Sequence, residues 1–272
     1  MNVLARHNVR RLGAVGHRPL VFAHGYGCDQ QVWQHITPAF EADHELLLFD
    51  YVGSGGSDTS AYDRQRHGSL EGHARDLIAL CEAAGLQRPV LVAHSVSTMV
   101  GVLAARLRPD LFEGLALVAP NPCYINHPGY VGGFERHDVD DLMDVLDQNF
   151  FSWARMMAPV IMGNPGRPEL GDALANSFCS VDPSIARHFA RVTFLADHRA
   201  DLPQVHTPCL LMQCTDDALA PPAVGEYLQH ALPQAELVQL AATGHCPHLS
   251  APAETTAALQ RFLARLPERA VA

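Results

Sequence analysis

The chain reads as an α/β protein with a mostly parallel sheet, flanking helices and one helical insertion. Three observations predict this. Short, continuously apolar runs alternate with helical stretches over residues 1–120 and again over 203–272. That rhythm belongs to right-handed βαβ crossovers. The runs lack polar alternation, as strands buried on both faces require. Between Asn121 and about Leu202 the rhythm stops and no convincing strand appears. The expected division is therefore a core of residues 1–120 and 203–272, with a helical cap, or lid, at 121–202.

The elements follow in order. Val3 to Val9 suggests a short edge strand and Gly13 to His17 a turn. Pro19 to Ala23 is the first clear strand, ending in the glycine-rich turn His24-Gly25-Tyr26-Gly27. A helix is expected from Asp29 to about Phe40, with Val32, Trp33 and Ile36 on one face. The strand Glu45 to Phe49 runs into a loop, Asp50 to Ser57. Ser69 suits an N-cap, Glu71 the first turn, and Gly85 the stop of the next helix.

Val90 to Ala93 is another strand, the chain bends at Ser95, and Thr98 to Arg108 reads as helix. Gly114 to Ala119 is the last strand before the cap. Leu142, Val145, Phe150, Trp153, Met157, Phe178, Phe189 and Phe194 give the cap its own apolar faces, with breaks expected at Pro128, Gly129, Pro159, Pro165, Gly166, Pro168 and Pro183. Strands resume at Pro208 to Cys214 and Glu236 to Leu240. Helices follow from about Pro222 and from Pro252 to Leu266.

Composition narrows the function. Among 272 residues 48% are apolar and 18% charged, which supports a sizeable core. A net charge of −10 without a basic stripe argues against nucleic acid or an anionic membrane as partner. Seven scattered cysteines without C-x-x-C fit a reducing, cytoplasmic setting better than a disulfide scaffold. The N-terminus lacks a signal peptide's apolar core, and no apolar run approaches membrane-spanning length.

The bend at Val-Leu-Val-Ala-His-Ser-Val-Ser (90–97) presents Ser95 above the sheet, over a helix N-terminus. Serine alone there would serve as an N-cap. A serine hydroxyl becomes a useful nucleophile only when a base takes its proton and a third group orients the base. Asp216-Asp217 and His245 each follow a predicted strand, so their loops share the sheet edge with Ser95. The order Ser, Asp, His suits such a relay. The developing oxyanion needs backbone N–H donors, expected from Val96 and Tyr26. His245 and His248 form H-x-x-H without a third ligand cluster, so no metal is expected, and the motifs call for no cofactor. The Gly53–Gly56 run lacks the lysine and spacing of a phosphate loop and reads as a plain turn.

Eight stretches carry a resemblance: HGYGCDQQVW, LLLFDYVGSGGSD, VLVAHSVSTM, NPCYINHPGYVGGFE, SFCSVDPSIARHFA, ADHRADL, LLMQCTDDALAPPAVGEYL and ATGHCPHLS. They span most of residues 20–260. The sequence resembles the α/β-hydrolase superfamily, and within it the bacterial stress-response hydrolase RsbQ and the plant strigolactone and karrikin receptors. The resemblance implies an α/β-hydrolase fold with Ser95 as nucleophile, His245 as base and Asp217, rather than Asp216, as the orienting acid. It also implies an apolar pocket at Tyr26, Tyr124, Phe134, Trp153, Met157 and Phe194. Ala93 and Ser97 depart from the family, which has glycine at both positions.

These features imply a serine hydrolase acting on a small apolar ester or lactone through an acyl-enzyme. The resemblance also implies an alternative, a ligand-sensing protein with slow hydrolysis that works through a phosphatase-type signalling partner. A cofactor-free haloperoxidase or a carbon–carbon bond hydrolase would use the same three residues.

Overall fold

The computed structural model describes residues 2–267. Residues 1 and 268–272, part of the expected core, lie outside the described residues. Among the described residues, seven strands form one sheet: β1 (Arg10–Gly13), β2 (Pro19–Ala23), β3 (Glu45–Leu48), β4 (Val90–His94), β5 (Gly114–Val118), β6 (Cys209–Asp216) and β7 (Ala235–Thr243). Their spatial order is β1-β3-β2-β4-β5-β6-β7. Only β1 runs antiparallel, pairing Arg10 with Leu48; every other neighbouring pair is parallel. The carboxyl ends of β2, β4, β6 and β7 therefore share one edge, which positions the candidate site.

The continuous apolar strands divide their side chains between two cores. Leu20, Phe22, Val90 and Val92 face one side, with Trp153, Phe178 and Phe262. Val21, Ala23, Leu91 and Ala93 face the other. That second face is covered by α2 (Leu70–Ala83), α3 (Val96–Leu107) and α8 (Pro222–Ala231) through Leu77, Met99 and Leu228. Burying each such side chain contributes roughly 1.5–3 kcal/mol. Ser69 occupies the N-cap position of α2, and Gly85 follows the helix at φ +69°.

Between β5 and β6 the chain makes α4 (Arg136–Gln148), α5 (Phe150–Met162), α6 (Pro168–Ser180) and α7 (Pro183–Phe194). Asn149 caps α5 by accepting from Ser152 N–H at 3.0 Å. Asp182 caps α7 by accepting from Ser184 N–H at 2.8 Å. Pro168 and Pro183 open their helices, where the missing N–H costs nothing. Cys123 and Asp197 form an antiparallel bridge where the chain leaves and rejoins the core. The short helix α9 (Pro247–Ser250) and the longer α10 (Pro252–Leu263) follow β7.

Three local expectations are corrected. Val3–Arg6 is a helical turn, α1, because the Asn2 side chain accepts from Leu4 N–H at 3.0 Å; the edge strand begins only at Arg10. Residues 29–40 form two 3₁₀ segments, Gln30–Trp33 and Thr37–Ala39, rather than one α-helix. Pro38 has no N–H to continue an α ladder. Val32, Trp33 and Ile36 are nevertheless buried, as expected. Pro159 lies inside α5 instead of breaking it. The helix terminates later, at Gly163 in the left-handed region.

Candidate active site

Ser95 sits between β4 and α3 with φ +56° and ψ −125°, a conformation unusual for any residue but glycine. Its N–H donates to Val118 O at 2.9 Å, holding the bend against β5. Close approach explains Gly25 below it: a Cβ there would lie 2.5 Å from His94 Nδ1. The two departures from glycine are both accommodated. Ala93 is fully buried and pairs with Ala23, so one methyl meets another small residue. Ser97 is also fully buried, and its hydroxyl donates to the carbonyl of His24.

The structure brings Ser95, His245 and Asp217 together. The Ser95 hydroxyl donates to His245 Nε2 at 2.7 Å. His245 Nδ1–H donates to Asp217 Oδ2 at 2.8 Å. A carboxylate only accepts, so Nδ1 carries the proton and the Nε2 lone pair faces the serine. The other carboxylate oxygen accepts from Leu219 N–H at 2.8 Å and Ala220 N–H at 3.2 Å. Asp217 is buried, whereas Asp216 is exposed. The backbone N–H groups of Tyr26 and Val96 have no acceptor among the described residues.

Beside this relay lies a cavity walled by Tyr26, Tyr124, Trp153, Phe194, Ser95 and His245, together with Cys28, His94, Ile161, Leu174, Phe178, Thr193, Leu219 and Cys246. It leaves about 20 Å3 in which the centre of a water molecule can sit. That is roughly room for one water. Tyr26 ties the core to the insertion, since its hydroxyl donates to Ala186 O of α7 at 3.0 Å.

Phe134 and Met157, expected in the pocket, are not part of this wall. Both are half-buried against the apolar core, Phe134 in a bridge with Ile125. Leu174 and Phe178 of α6 take that space, with the Phe178 ring stacked 5.9 Å from Trp153. Their spacing of four residues was the available sequence signal, as was Ile161, eight residues after Trp153 on the same helix face.

His94 and His248 were not anticipated as neighbours of the site. His94 Nε2–H donates to His245 O at 2.9 Å, and its ring lies 4.3 Å from that of His248. Burial, then the neighbouring histidines, holds His94 well below the usual histidine range. Burial, then His245, pushes His248 down to about 3. Both are therefore neutral at pH 7. Cys28 is pushed up to about 12 by burial, and Cys246 is raised well above the ordinary thiol, so neither offers a thiolate.

His245 and His248 do not converge as ligands, because both nitrogens of His245 are engaged. Cys123, His127 and Asp197 form one group of metal-ligand type among the described residues. Arg199 already donates to both carboxylate oxygens of Asp197, at 2.9 and 2.6 Å. In the Gly53–Ser57 loop Gly53 and Ser54 N–H donate to Ser57 Oγ and Gly56 N–H donates to Asp50 Oδ2, so these groups already have acceptors. No helix among the described residues is long and apolar enough to cross a membrane.

A parallel sheet whose carboxyl edge gathers a strained serine, a histidine and a buried carboxylate defines the α/β-hydrolase class. Sequence comparison agrees: the alpha/beta hydrolase family matches residues 20–259, and the chain belongs to that family. It is 37% identical to the karrikin insensitive 2 receptor CA of Petunia hybrida over 247 residues, covering 90% of this chain and 91% of that one. It is 33% identical to the strigolactone esterase D14 of Arabidopsis thaliana, covering 97% and 98%. The solved structure of a hydrolase from Oleispira antarctica is similar with a TM-score of 0.94 and 37% identity, covering 97% of each chain.

Proposed function

We propose that the protein is a serine hydrolase that cleaves a small apolar ester or lactone through an acyl-enzyme. The observation that carries this is the Ser95–His245–Asp217 chain of hydrogen bonds, 2.7 and 2.8 Å, opening on an apolar cavity. Ser95 Oγ attacks the carbonyl carbon as His245 Nε2 takes its proton. The tetrahedral oxygen receives the free N–H groups of Tyr26 and Val96. Collapse expels the alkoxide, which takes the proton back from His245; in a lactone the alcohol stays attached to the acyl group. Water, deprotonated by His245, then releases the acid and regenerates Ser95. Asp217 holds the Nδ1–H tautomer and stabilises the imidazolium.

The wall favours apolar substrates because few polar groups face it. We read α4–α7 as a lid that moves to admit substrate: α5, α6 and α7 supply Trp153, Phe178 and Phe194 to the wall, and room for about one water supports that reading. The named esterase and receptor relatives support this reading. Seven free thiols, six of them buried, suit a reducing compartment and support a cytoplasmic location.

Short-chain p-nitrophenyl esters and simple butenolides test the proposal. The expected result is hydrolysis by the native chain, an acyl adduct on Ser95 by intact mass, and no turnover by Ser95→Ala. Equal turnover by Ser95→Ala would overturn it. A second reading, ligand sensing with slow hydrolysis, is favoured by the similarity to the karrikin insensitive 2 receptor. It predicts a long-lived adduct and a ligand-dependent protein partner.

A further inference from the structure

A helix leaves its last carbonyl groups without partners inside the helix. At the end of α5 Asn164 Nδ2 donates to Met162 O at 2.6 Å, and the loop that carries His245 takes two further acceptors. The His245 N–H donates to Ile161 O at 2.8 Å. The Thr243 hydroxyl donates to Gly163 O at 3.2 Å, and Asn164 Nδ2 donates back to Thr243 O at 3.1 Å. Gly163 and Gly244 lie backbone to backbone. A Cβ on Gly163 would come within 2.7 Å of Gly244 Cα, and one on Gly244 would collide with Met162 O. Both glycines have positive φ, +63° and +81°, so this contact needs two residues without side chains.

The opposite side of His245 belongs to the core, since its carbonyl accepts from His94 Nε2–H at 2.9 Å. The residue is therefore held by its N–H to the insertion and by its C=O to the sheet. Ile161 also lines the cavity. Any motion of α5 that widens the wall strains the bond that positions His245.

We propose that the α5 terminus is a latch for the general base, with Asn164 and Thr243 as positioning residues. This rests on the reading of His245 as base. With the lid seated, Nε2 meets Ser95; with α5 displaced, the base loses its register. Opening the site to substrate or product thus disarms the relay, and closing rearms it. Hydrolysis is confined to the closed, water-poor state.

The test compares Asn164→Ala, Thr243→Val, their double variant and Thr243→Ser, using p-nitrophenyl butyrate, with Ser95→Ala alongside. Asn164 is half-buried and Thr243 exposed, so these changes leave the core packing in place. The double variant is expected to lose about fivefold or more in kcat, the scale of one or two hydrogen bonds. KM should stay within about twofold, because the cavity wall is untouched. The downfield proton NMR signal of His245 Nδ1–H should broaden, the melting temperature should hold, and Thr243→Ser should keep native kcat. Native kcat and a sharp signal in the double variant, with Ser95→Ala inactive, overturn the latch alone. Activity that survives in Ser95→Ala overturns the functional reading and the latch with it.

Discussion

Ser97 donates its hydroxyl to the carbonyl oxygen of His24, fastening the first turn of α3 to the turn that carries Tyr26. A residue that looks like a damaged glycine position in the sequence thus links the two loops that carry Tyr26 and Val96, the proposed oxyanion donors. Ser97→Ala should leave the fully buried His24 carbonyl without this donor, at a cost of about 1–3 kcal/mol. At roughly 2–4 °C per kcal/mol for a chain of this size, thermal melting reads the loss directly. Turnover of p-nitrophenyl esters should fall with it, in kcat more than in KM. An unchanged melting point would remove the link from the account.

Asp217→Asn tests the choice between two adjacent carboxylates. Asp217 uses Oδ1 for two backbone N–H groups and Oδ2 for His245. An amide has one acceptor oxygen, so one side must meet a donor with another donor. The imidazole is then released or forced into the wrong tautomer. Loss of kcat on the order of 10⁴-fold is expected. Asp216→Asn, at an exposed position, should keep native activity. A reversed outcome would reassign the acid.

How far the sequence reached is visible at particular residues. Strand runs such as Val90–Ala93 were legible because burial on both faces leaves an unbroken apolar signature. Ser95 and Asp217 were legible because each follows a largely buried strand, and His245 because it follows the less buried edge strand β7. The segment at 29–40 was not, because Val32, Trp33 and Ile36 satisfy a helical period in 3₁₀ turns as well. Phe134 and Met157 were misplaced because an apolar side chain in the insertion serves core or cavity equally, and only packing decides. The bond from His245 N–H to Ile161 O had no sequence signal, since backbone atoms are common to every residue.

The neutral histidines beside the site make stability depend on pH. His248 titrates near 3 in the folded chain, against an ordinary 6.5, because burial disfavours its charged form. His94 is shifted in the same direction. The unfolded chain therefore binds protons below about pH 6.5 that the folded chain refuses. Stability is fully present above that pH and is lost as pH falls toward 3, by up to about 1.4 kcal/mol per pH unit for each histidine. His248 is fully buried, with no hydrogen-bond partner for either nitrogen among the described residues, and its ring lies 4.7 Å from that of Trp33. His248→Phe should flatten the fall of melting temperature between pH 6.5 and 4. A profile as steep as that of the native chain would rule this histidine out as a source.

Phe178 should govern which acyl groups fit. Its ring stacks 5.9 Å from Trp153, meets Tyr26 at 5.8 Å, and forms part of the cavity wall. The cavity has room for about one water, so acyl length is limited by how far these rings part. Phe178→Ala removes one ring and enlarges the space next to Ser95. The preferred chain length of p-nitrophenyl esters should move from two or so carbons toward about six or eight, in step with the added volume. Stability should fall by about 3–5 kcal/mol, as for other buried aromatic truncations. Met157→Ala is the matched control, being apolar and in the insertion but away from the wall. It should leave the chain-length profile in place. If Met157→Ala shifts the profile and Phe178→Ala does not, substrate lies along α5 instead of beneath α6.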